Sequence, residues 1–119
     1  MSLPVILVVE DEPILRMAAV DMVEAAGFDT LEAANAAQAL DILERRIDIH
    51  LVFTDIDMPP GLDGLALASL IRDRWPPVHV IVTSGHTTPP QGSLPRGMIF
   101  FPKPYQEQDV VAAMQSLAA

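Results

Sequence analysis

Leu51-Val52-Phe53-Thr54-Asp55-Ile56-Asp57 (LVFTDID) joins a short apolar run directly to two carboxylates. A run of β-branched, aromatic and aliphatic residues without polar alternation suits a strand of a parallel sheet covered on both faces. The same form recurs on either side. Residues 4–9 (PVILVV) run into Glu10-Asp11-Glu12, residues 78–83 (VHVIVT) into Ser84-Gly85, and residues 98–101 (MIFF) into Pro102-Lys103-Pro104. Residues 28–32 (FDTLE) alternate instead, as an edge-side strand would.

Helical patterns fill the intervals. Pro13 suits a first helical turn, after which Ile14, Met17, Ala18, Met22 and Ala25 are expected to share a face, with Gly27 ending the helix. Asn35 with Gln38 resembles a capping pair, followed by Ala36, Ala39, Leu40, Leu43 and Ile47. Asp63 is expected to cap a helix carrying Leu67, Ile71 and Trp75, which Pro76-Pro77 stops. Val110, Ala113, Met114 and Leu117 form a last apolar stripe. Strand and helix thus alternate, which predicts an α/β fold with a doubly wound parallel sheet and a site at the carboxyl ends of its strands. One interval breaks the pattern. Pro89, Pro90, Gly92 and Pro95 oppose a regular helix between residues 86 and 96, so the fourth helix is expected to be short or absent.

Size and composition narrow the function. The chain has 119 residues, of which 50% are hydrophobic, which suggests one ordered domain over residues 1–119. No apolar run approaches the roughly 20 residues of a membrane helix, and the first residues lack the pattern of a secretory signal. No cysteine is present, which excludes disulfides, thiolate metal sites and cysteine nucleophiles and fits a cytoplasmic location. A formal charge of −9 with no basic run longer than two residues argues against direct nucleic-acid binding.

In a parallel sheet the strand ends share one edge. That edge would gather Glu10, Asp11, Asp55 and Asp57 with the Ser84 hydroxyl and the Lys103 ammonium. Clustered carboxylates repel, and a divalent cation relieves them; oxygen donors with room for water suit Mg²⁺. A carboxylate nucleophile, a cation and fixed positive donors are the requirements of phosphoryl transfer. Asp55 is the candidate nucleophile, Lys103 the point charge and Ser84 the hydrogen-bond donor.

The segments VVEDE (8–12), FTDIDMP (53–59), TSG (83–85) and FPKPY (101–105) resemble, in order and over essentially the whole chain, the signature segments of response-regulator (CheY-like) receiver domains. The resemblance implies a flavodoxin-like five-stranded sheet in the order 2-1-3-4-5. It also implies a phosphorelay role, with a sensor histidine kinase or phosphotransfer protein as donor. It assigns Asp55 as phosphoacceptor, Asp11 as a direct Mg²⁺ ligand, Glu10 as a ligand through water, and the Asp57 backbone carbonyl as a further ligand. Ser84 and Phe100 take the switch positions, Lys103 the family's lysine, with Lys103-Pro104 usually cis. Asp57 and His86 occupy the positions that modulate phosphoryl lifetime. The loop 58–64 looks one residue longer than the common form, and the stretch from Ser84 to Phe100 shorter. The face built by the fourth helix, last strand and last helix serves the family for output and homodimerisation, so its use here is open, as is the downstream protein. The reading is a regulatory switch rather than an enzyme. Two alternatives stand beside it: a small Mg²⁺-dependent phosphatase using Asp55-Ile56-Asp57 as a D-x-D pair, and an interaction module that is never phosphorylated.

Overall fold

The computed structural model describes residues 3–57, 64–85 and 97–118. The elements run β1 (Val5–Val9), α1 (Pro13–Ala25), β2 (Asp29–Ala33), α2 (Ala36–Arg45), β3 (Ile49–Asp55), α3 (Gly64–Arg74), β4 (His79–Ser84), β5 (Ile99–Pro102) and α4 (Glu107–Ala118). All neighbouring strands pair in parallel, in the order β2-β1-β3-β4-β5. The expected strands and their order are therefore present, with boundaries shifted by one or two residues. The expected loss of a fourth helix, and the Asp63 cap, fall outside the described residues.

Strand residues alternate between two apolar layers, because successive side chains on a strand point to opposite faces. Leu7, Val9, Val52, Val80 and Val82 meet Ala39 and Leu43 of α2 and Leu67 and Ile71 of α3 on one side. Ile6, Val8, Leu51, Phe53 and Ile81 meet Met22 and Val23 of α1 and Val110 and Met114 of α4 on the other. Covering both faces explains why β1, β3 and β4 read as unbroken apolar runs. Each fully buried Val, Leu or Ile side chain here contributes about 1.5–3 kcal/mol of transfer free energy. β2 has a single neighbour in the sheet, and its first four residues are exposed or half-buried, which accounts for its alternation.

Local signals set the helix ends. Pro13 opens α1, and Gly27 closes it with φ +96°, a left-handed conformation that glycine adopts without steric cost. Asn35 caps α2 by accepting from Gln38 N at 2.8 Å, while Gln38 Oε1 accepts from Ala34 N at 2.8 Å, one residue before the position a standard capping box would use. The stripe expected on α1 is corrected. Ile14 and Met17 are exposed, at 74% and 63%, and the buried face is Ala19, Met22 and Val23. α1 is apolar on more than one side, so its spacing alone admits more than one inward face. Ile47, expected on the α2 stripe, lies beyond that helix and is fully exposed.

Register brings the strand ends level. Val9 pairs with Thr54, Asp55 with Thr83, and Ser84 with Pro102. Backbone bonds extend this alignment past the strands: Glu10 N donates to Ala33 O (3.1 Å), Ile56 N to Thr83 O (2.9 Å) and Lys103 N to Ser84 O (2.8 Å).

Candidate functional site

The candidate polar side chains enter the site from the ends of four strands: Glu10 and Asp11 after β1, Asp55 and Asp57 at β3, Ser84 at β4 and Lys103 after β5. Asp55 is the last residue of β3 and is 6% exposed; Glu10 follows β1 and is also 6% exposed. Carboxylates this buried require partners. Lys103, just past β5, supplies one to both: its Nζ donates to Asp55 Oδ2 at 2.8 Å and to Glu10 Oε1 at 3.1 Å. The remaining oxygens accept backbone donors. Asp57 N donates to Asp55 Oδ1 at 2.8 Å, and Glu12 N to Glu10 Oε2 at 3.1 Å. Both carboxylates are thereby held in one orientation. The peptide bond between Lys103 and Pro104 is cis.

Glu10, Asp11 and Asp55 each bring a carboxylate oxygen within 4.8 Å of the others. A single ammonium does not neutralise three such groups. Burial pushes the Glu10 carboxyl up to about 7, assisted by Asp11 and Asp55, while the Glu12 N–H and Lys103 pull it down. Burial would lower the Lys103 ammonium, but its hydrogen bonds to Asp55 and Glu10, with their charges, outweigh that and raise it. A buried cluster of hard oxygen donors with residual negative charge fits a divalent cation of the Mg²⁺ type.

Asp57 and Ser84 form a second polar group beside the first. The Asp57 carboxylate does not join the acidic cluster. Its Oδ2 accepts from Ser84 Oγ at 2.7 Å and from Gly85 N at 2.8 Å. The Ser84 hydroxyl is thus directed at Asp57. Phe100 is half-buried against the apolar layer of α2 and α3. His86 lies outside the described residues. A cavity of about 250 Å³ adjoins the acidic cluster, with Leu15, Ala18, Phe53 and Tyr105 on its apolar side and Glu10, Asp55 and Lys103 on its polar side. The Tyr105 ring meets Phe53 edge-on at 5.9 Å between centroids.

Residues 6–115 match the response regulator receiver domain family. The chain belongs to that family. It is a receiver domain of two-component signalling whose acidic pocket is built from Glu10, Asp11 and Asp55. Among its relatives is the aerobic respiration control protein ArcA of Escherichia coli (strain K12), 42% identical over 74 residues, which are 62% of this chain and 30% of ArcA. The sensor protein TorS of the same organism is 31% identical over 104 residues, 83% of this chain and 11% of TorS. The receiver therefore spans less than a third of either curated relative. A solved response regulator receiver protein from Sinorhizobium medicae WSM419 superposes with a TM-score of 0.90 at 26% identity, covering 98% of this chain and 94% of that one.

Two parts of the receiver's site carry no motif of their own. Gly64 opens α3 directly against β3. A Cβ there would overlap the Asp55 carbonyl oxygen and lie 2.5 Å from Ile56 Cα, so only glycine lets the helix approach the acidic strand end. Arg16, one turn into α1, reaches back to Glu10 O at 2.9 Å. In sequence the glycine was only the last residue of the loop 58–64, and the arginine only a charge on an apolar helix.

Proposed function

We propose that Asp55 accepts a phosphoryl group from a phosphohistidine of a sensor histidine kinase or phosphotransfer protein. The observation that carries this reading is the Lys103 ammonium, 2.8 Å from Asp55 and 3.1 Å from Glu10, within a three-carboxylate cluster. In the transfer the donor's P–N bond breaks and an Asp55 O–P bond forms; the bonding pair returns to the imidazole nitrogen. Lys103 is placed to stay with the new phosphoryl oxygens, which restore the charge that Asp55 gives up on phosphorylation. Glu10, Asp11, Asp55 and the Asp57 backbone carbonyl would hold Mg²⁺. When bound, that ion would offset the charge of the phosphoryl oxygens and the carboxylates together.

The added charge gives Ser84 a reason to exchange Asp57 for the phosphoryl group, which is the local event of the switch. Phe100 follows on β5, and Asp57 and His86 adjust how long the phosphoryl group lasts. Residues 1–119 act as one receiver unit; the match over residues 6–115 and the single five-stranded sheet support that. The family match, with a sensor protein among the relatives, supports a two-component signalling setting, for which we take a cytoplasmic location. Among the described residues no helix is long and apolar enough to cross a membrane. The phosphatase alternative has less support. Its second carboxylate would have to act as acid or base, and in Asp57 that group is engaged by Ser84 and Gly85.

The test is incubation of wild type and Asp55→Asn with Mg²⁺ and acetyl phosphate or a phosphohistidine donor, read by intact-protein mass. Wild type gains one phosphoryl group and the variant none. Equal labelling would sink the assignment, and sustained turnover of a general phosphatase substrate would favour the enzyme instead.

A further inference from the structure

We infer that Arg16 is a positioning residue for the acidic cluster, acting through the peptide that joins Glu10 to Asp11. The inference rests on the reading of that cluster as a cation site. β1 ends at Val9, so the Glu10 carbonyl lies beyond the strand and needs a partner from elsewhere. Arg16 Nη1 supplies it at 2.9 Å. Arg16 Nε donates in turn to Glu32 Oε1 on β2, at 3.2 Å. Arg16 N donates to Glu12 O at 2.9 Å, so the same residue also belongs to the first turn of α1.

A guanidinium is planar, with its donors in a fixed fork. Anchored at Glu32 by one edge and at Glu10 O by another, it sets the orientation of the Glu10–Asp11 peptide plane. That plane carries the α-carbons of two of the three clustered carboxylates. Glu10 N is tied to Ala33 O at 3.1 Å, so the residue is held on both sides of its α-carbon. The Arg16–Glu32 pair is itself partly exposed, at 21% and 51% for the two side chains. An exposed pair stabilises a fold little. Its main effect is geometric.

Charge and geometry predict opposite signs, which makes the idea testable. Arg16 is a cation near a cation site, so by charge alone its removal tightens Mg²⁺ binding. If it positions the carboxylates, its removal weakens binding. We expect Arg16→Gln to raise the Kd for Mg²⁺, by calorimetric titration, roughly tenfold, in the range found for groups that orient metal ligands. Arg16→Lys keeps the charge and loses the fork, and is expected to bind almost as weakly. Glu32→Gln, which loosens only the outer anchor, gives a smaller loss. Amide hydrogen exchange of the metal-free proteins provides a second readout. Exchange rises at Asp11 and Glu12 in Arg16→Gln, while the interiors of α1 and β2 keep wild-type protection. Mg²⁺ binding by Arg16→Gln as tight as or tighter than wild type would overturn the inference, as would full recovery in Arg16→Lys or unchanged exchange at residues 11 and 12. Wild type failing to bind Mg²⁺ would instead remove the cation reading, and the exchange pattern would still decide the role of Arg16.

Discussion

Glu10 sits between two demands: the fold buries it, and the proposed cation site needs it charged. Its carboxyl is pushed up to about 7 from 4.5, by burial first. A raised folded-state value means that the folded protein holds this proton more tightly than the unfolded chain. Its contribution to stability is then complete below about 4.5 and is lost as pH rises through about 7. With a chelator present, the urea midpoint is expected to fall from pH 5 to pH 8, with Glu10 accounting for at most about 3 kcal/mol. Glu10→Gln should flatten that slope, and an unchanged slope would show that other groups set it. A second expectation concerns Ser84. Its bond to Asp57 must break before it can serve a phosphoryl group. A bond to a charged carboxylate is worth about 1.5–3 kcal/mol, or at least roughly tenfold in affinity. Asp57→Ala should therefore bind beryllofluoride with Mg²⁺ at least about tenfold more tightly, and the gain should vanish in a Ser84→Ala background. If the gain survives there, it comes from removing the Asp57 charge. At this scale residue types were legible in sequence and pairings were not. Asp55 and Asp57 read as acids with different roles, but their side-chain partners, Lys103 for one and Ser84 for the other, did not show in the sequence.

Elements differ in how openly their sequences declare them. α2 announces its start through Asn35 and Gln38, and its buried residues Ala36, Ala39 and Leu43 follow the expected spacing. Local chemistry suffices there because the cap and the stripe lie within one short segment. α1 declares its limits at Pro13 and Gly27 but not its inward face, since that depends on which side of it the sheet and α4 occupy. α3 depends on a close approach that no local rule reveals. Gly64→Ala should force apart α3 and the end of β3, destabilising the protein by about 1–3 kcal/mol, as overpacking does. Chemical denaturation measures this, and the same variant should accept phosphate on Asp55 more slowly because the strand end moves with the helix. Wild-type stability and labelling together would mean that the helix start adjusts without disturbing Asp55.

The whole molecule is a sheet whose carboxyl edge assembles one site from residues 10, 11, 55 and 103. Because these positions converge only in the folded state, a cation held by them binds the native protein far better than the unfolded chain. Mg²⁺ at about a hundred times its Kd should add roughly 2.7 kcal/mol to the unfolding free energy. A thermal melt with and without chelator checks this, and Asp11→Ala should abolish the difference. An equal shift in Asp11→Ala would assign the effect to screening of the −9 net charge rather than to the site. The sequence by itself determined the parallel α/β class, the strand order by resemblance, and the strand ends that carry the chemistry. Apolar runs ending in acid, hydroxyl or lysine are local patterns, and sheet burial on both faces leaves them unbroken. Tertiary structure alone decided that Lys103 bridges Asp55 and Glu10, that Asp57 faces Ser84, and that Arg16 holds the Glu10–Asp11 peptide. Those contacts depend on the direction of side chains across strands up to 93 positions apart, and direction follows from register and packing.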